Sequence, residues 1–386
     1  MRFKWSVKSY TAIWLYMLFI ITFIWTNYIP RLPIFSYSEG ENDNSYELRR
    51  RVGSPHKSGR KIHENGAFPW EDFVCRWSVP KMMESSLHMN VFIRDVEPTP
   101  SVHHIFLLDT GCLDALPNRH LCALESYALL HPESEVWMLV TVDALDDSDG
   151  LLSTLVRSYG NIRLAALDLN LLFLDTPLAG FYTTHELLES RYINVQMSDM
   201  ARVALVWRYG GFYSDNDVIA LSSISDLSNA IAFENNRSIA NALFHFEAKH
   251  EFLVAVMNYM PAHFAPGEWT SIGPQATTAA ALEICNERSA LPYFDDVPSL
   301  CRDVTLLPEK IFYPLPWTYF KKLFETSLAG SFQEAYPNTR ALHFTGSSSD
   351  RVAVDVVESP TSVYVQAATH RCPDVFSTAT RRSRFF

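Results

Sequence analysis

Three kinds of hydrophobic pattern follow one another along the chain. Residues 10–29, YTAIWLYMLFIITFIWTNYI, run for twenty positions without a charge. As a helix rising about 1.5 Å per residue, such a run reaches about 30 Å, the thickness of a bilayer's hydrocarbon layer. Arg2, Lys4 and Lys8 precede it, and short basic flanks stay cytoplasmic. The expectation is a cytoplasmic tail over 1–9, a single transmembrane signal anchor over 10–29, and translocation of everything after it. A cleaved leader has a shorter apolar stretch followed by small residues. Here Trp25, Tyr28, Pro30 and Arg31 occupy that place.

Residues 31–66 are polar and charged with few core candidates, 67–101 are intermediate with Pro69, Pro80, Pro98 and Pro100, and 30–100 as a whole reads as a luminal stem. From 101 to 375 short apolar runs alternate with helical periodicity. HHIFLLDT (103–110) and EVWMLVTVD (135–143) read as buried strands. Between them, 117–131 places Leu121, Leu124, Ala128 and Leu129 at helical spacing behind Pro117. LLSTLVRSYG (151–160) predicts a helix ended by glycine and NIRLAALDL (161–169) a third strand. Strand, helix, strand, helix, strand implies parallel βαβ units, and open sheets of that kind bind ligands at the carboxyl ends of their strands. Further on, GFYSDND, NALFHFEAK and TRALHFT read as strands and 250–260 and 274–287 as helices. The last residues, 376–386, read as a loose tail.

Composition narrows the classes. The 386 residues are 48% hydrophobic and 19% charged, which is globular. The net charge of −11 lacks the basic footprint of a nucleic-acid binder, so no nucleic-acid partner is expected. All six cysteines follow the expected anchor, which suits disulfides in an oxidising lumen, with the pairing open. Asn236-Arg237-Ser238 is a glycosylation sequon at Asn236. No P-loop, G-x-G-x-x-G or G-x-S-x-G occurs.

The chemistry concentrates in residues 198–221, SDMARVALVWRYGGFYSDNDVIAL. Ser198 is expected to cap a helix over 199–209, with Asp199 and Arg202 three apart on one face. Gly210-Gly211 ends that helix, and Phe212 and Tyr213 open a strand that stops at Asp215-Asn216-Asp217. Carboxylates at i and i+2 past a strand lie on one side of the backbone and offer hard oxygen ligands for Mn²⁺ or Mg²⁺. Such an ion bridges a diphosphate and absorbs charge as it departs. A second Asp-x-Asp, Asp147-Ser148-Asp149, has no apolar strand leading into it and reads as solvated loop. His245 and His250 are expected to pack or cap, and Trp137, Trp207 and Trp317 to be core residues.

The string resembles the signature of the DxD-containing α-1,4-glycosyltransferases, glycosyltransferase family 32. HHIFLLDT, CALESYALLHPESEVWML, LFLDTPLAGFY, NALFHFEAKHEFL, GPQATT and LLPEKIFYPLPWTYFKKLF match other family segments in order, over about residues 103–345. The resemblance implies an α/β, GT-A-like fold with a central, mostly parallel sheet, and a retaining transferase in the Golgi membrane, single-pass type II. It implies Mn²⁺ or another divalent cation and UDP-galactose or UDP-N-acetylgalactosamine as donor. The acceptor implied is a glycolipid such as lactosylceramide. Asp215 and Asp217 are the implied catalytic metal ligands. Asp199, Arg202, Gly211, Tyr213, Asn216, Gln275 and His343 are the implied donor-binding residues. Asn216 stands where the family has Thr, and of the family's C-terminal HVWNKKS only His343 remains, in HFTGSSS. Three matters stay open: N-acetylglucosamine transfer to glycoproteins, a non-catalytic luminal sugar-nucleotide binder, and pairing of two copies.

Overall fold

The computed structural model describes residues 85–184, 186–288, 290–294, 296–328, 330–345 and 352–386. The expected tail, anchor and most of the stem, with Cys75, lie outside the described residues. Among the described residues no helix is long and apolar enough to cross a membrane.

The described residues form thirteen strands: β1 Ser86–His88, β2 Val91–Phe92, β3 His104–Asp109, β4 Glu135–Val140, β5 Ala144–Asp146, β6 Ile162–Leu167, β7 Gly211–Ser214, β8 Val218–Ala220, β9 Ala230–Asn235, β10 Ser238–Phe246, β11 Ser299–Cys301, β12 Val304–Leu307 and β13 Ala341–His343. Among the described residues seven helices have eight or more residues: α1 Asn118–Leu130, α2 Leu151–Ser158, α3 Ile193–Tyr209, α4 Glu251–His263, α5 Pro274–Ile284, α6 Val363–Arg371 and α7 Pro373–Arg382. Nine strands form one sheet in the order β11-β12-β9-β10-β7-β3-β4-β6-β2. Five of its eight pairings are parallel, including β7 with β3, β3 with β4 and β4 with β6. The α/β architecture with a mostly parallel central sheet is therefore present. All six residues of β3 and all six of β4 are buried, as expected of strands covered on both faces.

The chain steps from β3 to β4 and β6 on one side, then returns through α3 to place β7 on the other side of β3. That reversal opens a crevice at the carboxyl ends of β3 and β7, where open α/β sheets bind ligands. The return depends on the glycine doublet. Gly210 has φ +70° and Gly211 φ +109°. A Cβ on Gly210 would lie 2.8 Å from the Ala248 amide nitrogen, and one on Gly211 2.5 Å from the His104 carbonyl oxygen. Only glycine takes both the dihedral and the close approach.

Several expectations need correction. The folded domain begins before 101, because β1 pairs with β5 and β2 with β6. Ser198 does not cap a helix: α3 starts five residues earlier, at Ile193, because the apolar face continues upstream through Met197. The tail is not loose. Helix α7 occupies Pro373–Arg382, and the buried Glu125 carboxylate accepts from the Asp374 and Val375 amides at 2.9 Å each. The Cys122–Cys372 disulfide ties the same region to α1, and Phe386 packs at 8% exposure. The second Asp-x-Asp is partly structural: Asp147 accepts from the Leu152 and Ser153 amides at the start of α2. Trp137 is core, but Trp317 is 46% exposed. His245 is buried and stacks on His103 at 5.5 Å, and His250 caps α4 by accepting from the Phe252 amide, as expected of packed and capping histidines.

Gly211→Ala is expected to lower stability by about 3 kcal/mol, because it combines a dihedral unfavourable to alanine with a clash against backbone. Urea denaturation of the two proteins measures this, and an unchanged midpoint would show that the doublet is not needed for the β7–β3 junction.

Candidate active site

The site sits past the carboxyl end of β7. Tyr213, fully buried, donates its hydroxyl proton to Asp215 Oδ1 at 2.7 Å. Arg202 reaches the same oxygen with Nη1 at 2.9 Å, its guanidinium carbon 4.8 Å from the Tyr213 ring centre. The rest of the guanidinium is held from its own helix and from β10. Nε donates to the Ser198 carbonyl at 3.2 Å, Nη2 to Ser198 Oγ at 2.9 Å, and Nη1 also to the Asn241 carbonyl at 3.0 Å. Asp199, one helical turn before Arg202, lies 3.5 Å from Nη2 through Oδ1, which also accepts from Asn241 Nδ2 at 2.7 Å. Burial opposes the Arg202 cation, but Asp215 and Asp199 outweigh it and keep the guanidinium charged.

Asp217 meets a residue 126 positions away in the chain. Strand β13 runs antiparallel to β8 with His343 opposite Val218, and this register sets His343 Nε2 3.2 Å from Asp217 Oδ1. Asp215, Asp217 and His343 each offer one ligand atom, all within 4.8 Å of one another. The donor set fits a divalent ion of the Mg²⁺ or Mn²⁺ kind, two carboxylate oxygens and one imidazole nitrogen. Electrostatics agree. Burial raises the Asp215 carboxyl above its ordinary range, Arg202 pulls it down, and the neighbouring Asp217 charge pushes it up again. Burial works against the His343 imidazolium, yet Asp217, then Asp215 and Glu234, raise it to about 9. Among the described residues, the Arg202 guanidinium faces Asp215 and the His343 imidazolium faces Asp217.

The other candidate donor-binding residues fall into two groups. Asn216 is close at hand: its Nδ2 lies 3.3 Å from the Leu108 carbonyl, Asp109 Oδ2 and His120 Nδ1, linking the ends of β7 and β3. Gly211 lies at the start of β7, against His104, away from the carboxylates. Gln275 is exposed on the first turn of α5 and bonds to Thr270 Oγ1 at 3.0 Å. Its neighbour Gly273 is the residue that reaches the site: a Cβ there would lie 2.5 Å from Asp199 Oδ2. That oxygen is buried and has no hydrogen-bond partner among the described residues. Burial raises the Asp199 carboxyl to about 6 against the pull of Arg202.

Sequence reasoning missed four contributors. Asn241 holds both Asp199 and Arg202. Asp109 and His120 (3.4 Å apart) line the β3 end, and Tyr313 packs edge-on to His343 at 5.8 Å. Asp109 carried a usable signal, since it ends a buried parallel strand. Asn236, in the exposed turn between β9 and β10, lies outside the crevice strands.

Comparisons with known proteins fall on the same segments. The glycosyltransferase sugar-binding region containing DXD motif matches residues 117–237, and the alpha 1,4-glycosyltransferase conserved region matches 245–379. Human lactosylceramide 4-alpha-galactosyltransferase is 33% identical over 256 residues, 64% of this chain and 70% of that protein. The gorilla protein of the same name is also 33% identical, over 76% of its length. Human alpha-1,4-N-acetylglucosaminyltransferase is 29% identical over 250 residues, 62% of this chain and 70% of that protein.

His343→Ala is expected to weaken Mn²⁺ binding by about tenfold or more, since one of three ligand side chains goes. Gln275→Ala should leave it unchanged. Isothermal titration of the three proteins with Mn²⁺ gives the comparison, and equal affinities would remove His343 from the ion site.

Proposed function

The chain belongs to the alpha-1,4-glycosyltransferases with a DXD-containing sugar-binding region, and on that premise we propose that it transfers galactose or N-acetylgalactosamine from a UDP-sugar to the 4-position of the terminal sugar of a glycolipid such as lactosylceramide, with retention of configuration. One observation carries this reading: Asp215, Asp217 and His343 converge beside the buried Asp199–Arg202 pair. In the reaction, the bond from the sugar's C1 to the β-phosphate oxygen breaks. A bond from C1 to the acceptor's 4-hydroxyl oxygen forms, and that hydroxyl's proton is released. Asp215, Asp217 and His343 would hold a divalent ion, which when bound would supply positive charge to the departing diphosphate.

The chain's own residues do the positioning. Arg202 by an ion pair and Tyr213 by a hydrogen bond fix one oxygen of Asp215, so this ligand does not reorganise during the reaction. Asp199 keeps Oδ2 without a protein partner and accepts a hydroxyl of the donor sugar there. Gly273 packs directly on that oxygen, where a Cβ would lie 2.5 Å from it. The names of the relatives in the gorilla and human genomes support a glycolipid acceptor and a galactose donor. The uncharged run at 10–29 behind three basic residues supports a type II anchor, and the disulfides Cys122–Cys372 and Cys285–Cys301 support an oxidising lumen such as the Golgi's.

Asp217→Ala is expected to abolish transfer while leaving the circular dichroism spectrum intact, and wild-type turnover in it contradicts the assignment. Incubation with lactosylceramide and UDP-galactose, UDP-N-acetylgalactosamine or UDP-N-acetylglucosamine in turn, read by product mass, tests the donor. A product only with UDP-N-acetylglucosamine rejects the galactose reading. Metal-dependent UDP binding without any product would favour a binding protein. The Asp199 carboxylate must be ionised to accept a hydroxyl, and burial has raised it to about 6. Donor kcat/KM should therefore fall as pH drops through about 6, and Asp199→Asn should be slow with no such limb. A flat profile in the wild type would remove Asp199 from donor contact.

A further inference from the structure

The segment after Tyr313 has a feature that neither the sheet nor the ion site explains. Trp317–Leu323 is a 3₁₀ helix. Phe320, Leu323 and Phe324 drive it into the core, and Phe324 packs on Tyr364 at 5.0 Å and under the Arg119 guanidinium at 5.3 Å. The element is thus rigidly seated. Its outer side carries Trp317 at 46% exposure and Tyr319 at 52%, flanked by exposed Lys321 and Lys322. In a 3₁₀ helix residues i and i+3 eclipse, and Lys322 Nζ lies 4.9 Å from the centre of the Tyr319 ring. Among the described residues neither lysine meets a carboxylate within ion-pair distance. Two large rings are thus left in water beside two lysines, on a chain of net charge −11.

Its place matters. Tyr313 touches His343 of the ion site at 5.8 Å. Four residues of extended chain span at most about 14 Å, so Trp317 lies within that distance of Tyr313. A glycolipid acceptor presents its sugar head outside the bilayer while its lipid stays within. A surface beside the site must then meet the headgroup layer.

We propose that Trp317, Tyr319, Lys321 and Lys322 dock the catalytic domain on the lipid headgroup surface that holds the acceptor. The rings settle at the interface as amphipathic aromatics do, and the lysines face phosphate groups. This deepens the glycolipid reading above and rests on it.

The test uses the full chain in phosphatidylcholine vesicles carrying phosphatidylserine, offered either vesicle-embedded lactosylceramide or a water-soluble lactoside. Trp317→Ala with Tyr319→Ala is expected to lower turnover on the embedded acceptor by about tenfold and on the soluble one by less than about twofold. Lys321→Glu with Lys322→Glu should do the same, and arginines at both positions should restore it. Equal losses on both acceptors overturn the proposal, since the rings would then serve the acceptor sugar or the fold, and no loss on either overturns it too. A second readout is independent of transfer. Bromolipid quenching of tryptophan fluorescence, compared between wild type and Trp317→Phe, isolates Trp317. A quenchable increment supports docking even if no sugar is transferred, which separates this proposal's failure from that of the transferase reading. Its absence counts against docking.

Discussion

Asp215 and Asp217 carry like charges two positions apart just past the end of a buried strand, and their repulsion is the force around which the neighbouring structure is arranged. Each carboxylate is answered by a cation brought from elsewhere. Arg202 reaches Asp215 at 2.9 Å from α3, and His343 reaches Asp217 at 3.2 Å from β13. Arg202, 5% exposed, is not easily replaced by water. Breaking a buried pair of this kind leaves an uncompensated charge and costs about 3–5 kcal/mol. The acidic centre is therefore balanced from within the chain, by Arg202 beside Asp215 and by His343 beside Asp217.

The same logic explains why the site needs both halves of the chain. Asp199, Arg202, Asp215 and Asp217 lie in the segment matched by the sugar-binding region, and His343 lies in the segment matched by the α-1,4-glycosyltransferase region. Pairing of β8 with β13 joins them. Asn241, between the two, fastens Asp199 with its side chain and Arg202 with its carbonyl. One residue thus orients both members of the ion pair, and neither can turn without breaking a hydrogen bond of about 1–3 kcal/mol. Around this centre the C-terminal helices are tied to α1 by Glu125 and by the Cys122–Cys372 disulfide, so the last residues complete the fold.

Much of the fold was legible where local pattern and tertiary burial agree. The runs that became β3, β4 and β6 are apolar throughout because both faces of a central parallel strand are covered, and such runs announce themselves. Legibility failed where a contact with something distant overrode local character. Residues 376–386 look polar and loose, yet α7 forms because buried Glu125, 249 positions from Asp374, accepts from its first amides. Ser198 looks like a helix cap, but its hydroxyl accepts from Arg202 inside α3. Trp317 looks like core, and is displaced outward because Phe320, Leu323 and Phe324 already fill the inner side of its short helix.

The amino-acid sequence by itself determined that two carboxylates would stand at i and i+2 past a strand, behind a glycine doublet and a helix carrying Asp199 and Arg202. Alternation, helical spacing and the dihedral freedom of glycine act within a few residues and need no partner. Only the tertiary structure decided that Arg202 would lie against Asp215, that Gly273 would press on Asp199, and that His343 would lie against Asp217. Those are choices of register and strand order, made by burial across the whole sheet, and no window of neighbouring residues contains them.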